Sequence, residues 1–334
     1  MKPKLSCPSP LRTGSYKTTT RMFLTSSKLL EAQLTELFDY IWTDVTALKN
    51  LRWQVRGYYE EYPIKTNLQL TKKFVFEEDV TNRPNLYRAC IEQSMDEQLF
   101  YVAKTLLTNI FAFYEAWVEN SLQLLHVPSA ENSYKDFQYP IGGKRDYMSI
   151  LHGLQANGVQ EIIDNFYDNY KKANPNYNLN HIDNYLKVYR YFKECRNSII
   201  HNGGQTTQSV YDAYTVVNNF TNNDLDVKEV PQAISTAIGD PIILNLRGVV
   251  GFTQIILKIV STFDVEFIKC AGADIYLCNR IKESMTITPP YPTCTLSKDK
   301  TYREVSNLVQ QGRFIRPSNP SILYTILKQN QVMK

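Results

Sequence analysis

Residues 191–204 read YFKECRNSIIHNGG, and the prediction of the fold starts from this stretch. Upstream, residues 180–190 contain no Pro or Gly, and Asn180 stands where a helix N-cap is useful. These features predict one helix over residues 180–202, the motif helix. Gly203 supplies the left-handed residue that commonly ends a helix, so His201 is expected in the last turn.

The motif helix is predicted to be amphipathic when its residues are placed at about 100° intervals. The arc expected in the core holds Val188, Tyr191, Phe192, Cys195 and Ile199. The opposite arc holds Lys193, Arg196, Asn197 and His201. Asn197 and His201 are i,i+4 neighbours, and the long Arg196 side chain can reach the same area. Ile200 lies among these polar residues, which predicts that this face contacts another surface.

The segment RNSIIH, residues 196–201, resembles the Arg-x4–6-His motif of the HEPN superfamily. HEPN domains are all-helical, and many are metal-independent endoribonucleases. The resemblance covers roughly residues 25 to 270, but its specific part is the motif and the surrounding helix. It implies that Arg196, Asn197 and His201 are catalytic and that two copies pair their motif helices to form one composite cleft. One departure is Gly203, because HEPN toxins silenced by AMP transfer often carry a Tyr at this position.

The chemistry of these side chains fits metal-free RNA cleavage. Histidine titrates near neutrality, so His201 suits proton transfer from the ribose 2′-OH or to the leaving 5′-oxygen. The planar donor fork of Arg196 suits a phosphate. Asn197 cannot transfer protons but can hold the phosphate or fix the imidazole tautomer. One chain offers one such set spread over a wide arc, so a second copy is expected to complete the site.

The resemblance implies an effector of bacterial toxin–antitoxin or antiphage defence that cuts tRNA or messenger RNA. Its partners would be RNA, a second copy of the chain through the motif helix, and an antitoxin or defence partner protein. The first alternative is a catalytically inactive HEPN-like module that binds RNA or nucleotide, or scaffolds a defence complex. The second is a plain helical interaction protein, in which Arg196 and His201 belong to a solvated helix end.

Composition is that of an ordinary soluble protein: 334 residues, 43% hydrophobic, 21% charged, with a net charge of +4. This charge is too small to indicate a nucleic-acid binder by itself. The six cysteines form no C-x2-C pair, and the histidines do not flank them at zinc-ligand spacing. Reduced thiols in a cytoplasmic protein are expected. The sequence also has no recognisable phosphate-binding loop, dinucleotide-binding pattern or carboxylate metal cluster, so no cofactor or metal is predicted.

The sequence predicts three parts. Residues 1–24 are expected to form a flexible basic arm without the apolar stretch of a secretory signal. Residues 25–284 are expected to form an all-α, HEPN-like helical bundle. Residues 285–334 are expected to form a linker, TITPPYPTC, and a small basic appendage of two helices, Tyr302–Gln311 and Pro320–Gln329. The most apolar run, Pro241–Val260, is interrupted by polar residues, so no membrane span is predicted.

Within the bundle, apolar periodicity predicts a long helix capped by Ser26 or Ser27 and broken at Gly57 and Pro63. The segment KKFVFEEDV, residues 72–80, alternates like a strand or extended loop. A second long helix is predicted over residues 85–125, and shorter helices over 144–156 and 158–172. Gly239-Asp240 is expected to turn a small β-hairpin inserted before a last long helix that spans Val249 to Phe267.

Overall fold

The computed structural model describes residues 21–62, 66–75, 84–127, 133–231, 237–286, 288–292 and 297–334. This part of the chain is predominantly helical and contains no strand, which confirms the all-α class. Its α-helices are α1 (Thr25–Glu61), α2 (Asn67–Phe74), α3 (Met95–Leu124), α4 (Tyr147–Gln155), α5 (Gln160–Ile162), α6 (Asp168–Ala173), α7 (Ile182–His201), α8 (Gln208–Val217), α9 (Asn222–Leu225), α10 (Leu246–Glu266), α11 (Ala273–Ser284), α12 (Lys298–Gln311) and α13 (Pro320–Gln329). Single π-helical turns, Arg88–Glu92 and Ile163–Tyr167, and 3-10 turns, Asp136–Gln138, Leu179–His181 and Phe267–Lys269, complete the helical structure.

The core is built around α10, which packs against α1, α3 and the motif helix α7. Phe252 of α10 stacks on Phe192 of α7 with 4.4 Å between ring centroids, and it also meets Phe111 of α3 at 5.4 Å. Residues Leu246–Lys269 are long and apolar enough to span a membrane, but 72% of their most apolar window is buried inside the fold. This segment is therefore the core helix of the bundle, in line with the long amphipathic helix predicted from Val249 to Phe267.

The first described residues do not belong to an arm. Met22, Phe23 and Leu24 are fully buried. The Phe23 and Leu24 backbone N–H groups donate to the carboxylate of Asp264, at 2.6 and 3.0 Å. The prediction of an arm over residues 1–24 is therefore wrong for residues 21–24, and residues 1–20 lie outside the described part. The arm was inferred from composition, which carries no information about a partner 240 residues away.

The serines at the start of α1 are not caps. Leu24 is the N-cap residue, and Ser26 and Ser27 lie inside the first turn with buried side chains. Ser27 Oγ donates to Asp264 at 2.5 Å and accepts from the indole N–H of Trp117 at 2.9 Å. Both hydroxyls form hydrogen bonds with buried side chains instead of capping backbone N–H groups. The helix accordingly starts at Thr25, before either serine.

The region after α1 differs from the prediction. Gly57 does not break α1, which continues to Glu61, while Pro63 lies outside the described residues. Of the segment predicted to be extended, Lys72–Phe74 are helical in α2, and residues 76–80 are outside the described part. The single helix predicted over residues 85–125 is interrupted at Gln93–Ser94. There Ser94 and Glu97 form a reciprocal capping box that starts α3.

The turn predicted at Gly239-Asp240 is present, since Asp240 N–H donates to Ala237 O at 3.0 Å and Gly239 has a φ of +93°. Residues 232–236, which would supply part of one strand, lie outside the described part. The remaining residues form one isolated antiparallel bridge, Gln205 with Pro241. The hairpin itself stays a prediction.

The two C-terminal helices were predicted accurately in place, with α13 at Pro320–Gln329 and α12 longer than expected. They contribute buried side chains, including Val305, Leu308 and Leu323, to the same hydrophobic cluster as α10. Phe314 lies 5.4 Å from the ring of Phe23. This segment thus shares the core of the bundle and is packed more closely than an appendage would be.

Candidate functional site

The end of the motif helix α7 is fixed by two glycines. Ser198 O accepts hydrogen bonds from Asn202 N–H at 2.9 Å and Gly204 N–H at 3.0 Å. Gly203 and Gly204 have φ angles of +64° and +76°, which are left-handed values that glycine adopts without steric cost. The predicted glycine stop is therefore confirmed, and His201 occupies the last turn of the helix.

The chain beyond the glycines is tied to the turn at residues 237–242. Ile242 N–H donates to Gly204 O at 2.7 Å, and Thr206 exchanges two backbone hydrogen bonds with this turn, at 2.8 Å to Asp240 O and 2.9 Å from Gly239 N–H. Ser198 Oγ also donates to Gln205 O. These bonds fix the position of the C-terminal end of α7, the open end of this helix. A functional site at this end requires such a fixed position.

The buried face of α7 matches the arc that the sequence analysis expected in the core. Val188, Tyr191, Phe192 and Cys195 are buried, and Ile199 packs at the edge of the core. Burial raises the pKa of the Cys195 thiol to about 12. Although Cys195 is next to Arg196 in sequence, it is therefore a neutral core residue and no candidate nucleophile.

Arg196 and Asn197 lie side by side on the opposite face. Arg196 Nη1 donates to Asn197 Oδ1 at 3.1 Å, so the amide orients the guanidinium. Arg196 Nε is buried and has no hydrogen-bond partner among the described residues. A buried donor without a partner is costly, by about 1–3 kcal/mol. This donor is therefore unsatisfied inside the fold, and only the terminal nitrogens of the guanidinium can reach a ligand.

His201 lies one helical turn beyond Asn197 and is exposed. Its ring makes no hydrogen bond to any residue in the described part of the chain. The structure thus brings Arg196 and Asn197 into contact and leaves His201 on the same open end, without a contact that joins it to them. Ile200, between them, is 45% exposed, as its position predicted.

Two further cations extend this face and were not singled out as site residues from the sequence. Lys193 Nζ donates to Glu115 Oε1 at 3.0 Å and to the side-chain oxygen of Gln138. Arg190 pairs with Glu194, and its guanidinium carbon lies 4.6 Å from the ring centroid of Tyr139. The spacing Arg190, Lys193, Arg196 is i, i+3, i+6, and this repeat of cations on one face was the signal in the sequence.

The electrostatics distinguish Arg196 from the other two cations. Burial lowers the pKa of Lys193, the carboxylate of Glu115 opposes this effect, and Arg190 and Arg196 add to the lowering. Arg190 and Lys193 each have a carboxylate partner, whereas Arg196 forms no ion pair with a described residue. Arg196 is consequently the cation of this face whose charge is available to a ligand.

The described residues contain no group of three or more His, Cys, Asp or Glu side chains that could hold a metal ion. Glu77, Glu78 and Asp79, three consecutive acidic residues, lie outside the described part. Comparison with protein-family models, with curated proteins and with solved structures finds no match. The interpretation of the site therefore depends on the residues of α7 and their contacts.

Proposed function

We propose that this protein is a metal-independent endoribonuclease with a HEPN-like bundle, in which the motif of α7 acts on RNA. The observation that carries the proposal is the Arg196 guanidinium: it is oriented by Asn197, it forms no ion pair with a described residue, and it lies just ahead of the exposed His201. An arginine without an ion-pair partner and a histidine on the same helix end supply the donor and the proton-transfer group that cleavage of a phosphodiester needs.

The roles follow from the chemistry of each group. The neutral imidazole of His201 would take the proton of the ribose 2′-OH, or the imidazolium would protonate the departing 5′-oxygen. Arg196 would place two donors on the phosphate oxygens, whose negative charge grows in the transition state. Asn197 would hold the guanidinium in place through the 3.1 Å hydrogen bond. The products would carry 2′,3′-cyclic phosphate and 5′-hydroxyl ends.

One His201 cannot act as base and acid in the same step, so the proposal includes a composite site formed by two copies of the chain. Ile200 supports this arrangement because a large aliphatic side chain, 45% exposed, lies between Arg196 and His201. Ile238 and Ile243 are also exposed, on the turn that is hydrogen-bonded to Gly204 and Thr206. Together they give the open end of α7 an apolar margin that a second copy could cover.

In the cell, such an enzyme would act in the cytoplasm as a toxin or antiphage effector on tRNA or messenger RNA, controlled by an antitoxin or defence partner protein. The cysteines of the described residues, Cys90, Cys195, Cys270 and Cys278, are free and buried, which fits a reducing compartment. The β-hairpin predicted around Gly239 would belong to the same margin of the site as Ile238 and Ile243.

The second candidate is a HEPN-like module that binds RNA or scaffolds a complex without turnover. The observation that favours it is the missing contact between His201 and the Arg196–Asn197 pair within one chain. Both candidates use the same residues, so they differ only in whether phosphodiester bonds are broken.

The test is incubation of the purified chain with total RNA in EDTA, followed by mapping of the new ends. We expect cleavage that persists without divalent metal and leaves 2′,3′-cyclic phosphates. A His201→Ala preparation purified in parallel is the control for contaminating nucleases. Strict dependence on magnesium would contradict the proposal, and RNA binding without cleavage would favour the module.

The composite site has its own test, in sedimentation and cleavage by an Ile200→Asp variant. The charged side chain should dissociate the two copies, and RNA cleavage should fall in parallel with the dissociation. Ile275→Asp is the matched control, because Ile275 is a similarly exposed isoleucine (42%) on α11. If the wild-type protein sediments as a monomer and still cuts RNA, the composite site is contradicted.

A further inference from the structure

The long helix α1 carries a row of residues on the side that faces away from the bundle. They recur at alternating spacings of four and three, the spacing of the contact line in a coiled coil. The row, which we call the α1 seam, consists of Thr35, Asp39, Trp42, Thr46, Lys49, Trp53, Arg56 and Glu60, and all of them are exposed. The described part of the chain therefore leaves this face of α1 open to solvent.

Two tryptophans are the most unusual members of the α1 seam, because tryptophan is highly buried on average in folded proteins. Trp42 is 47% exposed and Trp53 is 78% exposed. Their spacing places them about 20° apart around the helix and about 16 Å apart along it. Trp42 stacks on Phe38 with 6.3 Å between ring centroids, and Phe38 packs against the core. The indole of Trp42 is thus supported at the surface from below.

The threonines of the α1 seam present their methyl groups to a neighbour. Thr35 Oγ1 donates to Glu31 O, and Thr46 Oγ1 donates to Trp42 O, each at 2.8 Å. Since each hydroxyl bonds to the preceding turn of its own helix, it needs no partner outside the helix. Thr46 is also short and lies between the two indoles, and short side chains at a contact let two helices approach closely.

The α1 seam is complementary to itself when two copies of α1 run antiparallel. If the two-fold axis passes between residues 47 and 48, every seam residue of one copy faces a seam residue of the other. Trp42 of one copy then faces Trp53 of the other, and Asp39 of one copy faces Arg56 of the other. A two-fold interface requires one surface to match itself in this way.

The charges of the α1 seam favour the antiparallel arrangement. Asp39 and Arg56 form no ion pair with a described residue. Arg56 Nε donates to Cys90 O at 2.7 Å, which holds the side chain and leaves Nη1 for another acceptor. In an antiparallel pair Asp39 meets Arg56 twice. In a parallel pair each of them would face its own copy, and facing like charges cost free energy.

The α1 seam is large enough for a specific contact. At about 200 Å² for a whole indole side chain, the exposed parts of the four tryptophans in a pair supply roughly 500 Å² of buried surface. The smallest specific interfaces bury about 1,200 Å² in total. The seam runs for about 38 Å along α1, so threonine methyl groups and the aliphatic stems of Lys49 and Arg56 can supply the rest.

We propose that two copies of this chain associate through the α1 seam in the antiparallel register. Trp42 and Trp53 form the apolar centres of the contact, and the Asp39–Arg56 pairs fix the register. The interface contains no residue of α7 or of the turn at residues 237–242, so it is separate from the composite site and does not rest on the proposed function. Two different two-fold interfaces on one chain are the arrangement from which D2 tetramers are built.

Sedimentation of the full-length Ile200→Asp chain tests the proposal, because this substitution removes the contact proposed at the end of α7. We expect the chain to remain a dimer. Adding Trp53→Asp should raise the dimer Kd by about 100-fold or more, as the loss of a central tryptophan commonly does. Tyr40→Asp is the matched control, since Tyr40 is 61% exposed on α1 but lies about 160° around the helix from Trp42.

A folded Ile200→Asp chain that is monomeric at every concentration would overturn the proposal, whatever else then covers the α1 seam. Equal dissociation by Trp53→Asp and Tyr40→Asp would also overturn it. If the contact at the end of α7 does not exist, the wild-type and Ile200→Asp chains are the same dimer. The two proposals therefore fail separately.

Charge reversal tests the register in the same Ile200→Asp chain. Asp39→Arg alone and Arg56→Asp alone each place like charges opposite one another, so each should raise the dimer Kd by about 10-fold. A 1:1 mixture of the two variants should form mixed dimers, because every contact then joins opposite charges. The double reversal in one chain should restore the original Kd, which also shows that Arg56→Asp has not damaged the fold. A double variant that dimerises no better than the single variants would overturn the antiparallel register.

Discussion

Asp264 and Arg196 are both ionic groups set into this helical bundle, and their surroundings differ in one respect. The Asp264 carboxylate is fully buried and accepts hydrogen bonds from Phe23 N–H, Leu24 N–H and the Ser27 hydroxyl. Arg196 donates to Asn197 alone among the described side chains and keeps a buried Nε unused. A satisfied group holds the fold together, whereas an unsatisfied one costs stability and needs another reason to be present.

The contrast predicts opposite mutational phenotypes. Asp264→Ala should lower the free energy of unfolding by about 3–6 kcal/mol, because it leaves two backbone N–H groups and a hydroxyl buried without an acceptor. Chemical denaturation measures this loss. Ser27→Ala removes one of the three donors to Asp264 and also the acceptor of the Trp117 indole N–H; it is the milder comparison and should cost roughly 1–3 kcal/mol. An Asp264→Ala chain as stable as the wild type would mean that the network does not hold the start of α1.

The His201→Ala variant is expected to lose RNA cleavage and to keep its stability. Cleavage of RNA should fall by about 10²- to 10⁴-fold, the usual contribution of a general acid–base group. Stability should stay the same, since the ring is exposed and makes no hydrogen bond to a described residue. Single-turnover cleavage and a thermal melt of the same preparation separate the two effects. Unchanged cleavage would refute the catalytic assignment and leave the binding module.

Arg196→Ala should lower the cleavage rate by about 10²-fold or more, as removal of a transition-state donor commonly does. Asn197→Ala should cost less, because the amide positions the guanidinium and does not react. Mixing Arg196→Ala with His201→Ala chains sharpens the comparison. If each cleft takes groups from both copies, the heterodimer should behave unlike either homodimer; rates equal to the mean of the parents would argue against shared clefts.

The smallest effect concerns pH. Burial raises the pKa of Asp264 from 3.8 to about 6, although its hydrogen bonds and Lys28 oppose the shift. Since the folded pKa is above the unfolded one, the protonated carboxyl stabilises the fold below about pH 4, and this contribution is lost as the pH rises through 6. The loss should be about 1–3 kcal/mol. Asp264→Asn should remove this pH dependence; an identical pH profile in both proteins would contradict it.

The helix α7, which carries the candidate site, was predictable because the sequence features that define it are local. Apolar spacing in residues 180–202 and the glycines after His201 predicted the buried face and the end of α7. The start was predicted less well, because Asn180 lies in the 3-10 turn Leu179–His181 and does not cap the helix, which begins at Ile182. The surroundings of Asp264 were not predictable, because its partners Phe23 and Leu24 are about 240 residues away and their burial reverses what the basic N-terminal composition suggests. The sequence likewise placed Lys193 on the polar face without indicating its contact with Glu115 of α3.

The packing of Phe23 against Phe314 has a consequence for synthesis on the ribosome. Phe23 also contacts Tyr170 and Tyr276, so a single aromatic cluster joins residues from both ends of the described chain. During translation the N-terminal part of this cluster must wait until residue 314 has left the exit tunnel. A nascent chain therefore completes this aromatic cluster only after residue 314 has been synthesised, so Phe23 stays without its full set of aromatic contacts for most of the time that the bundle is being made.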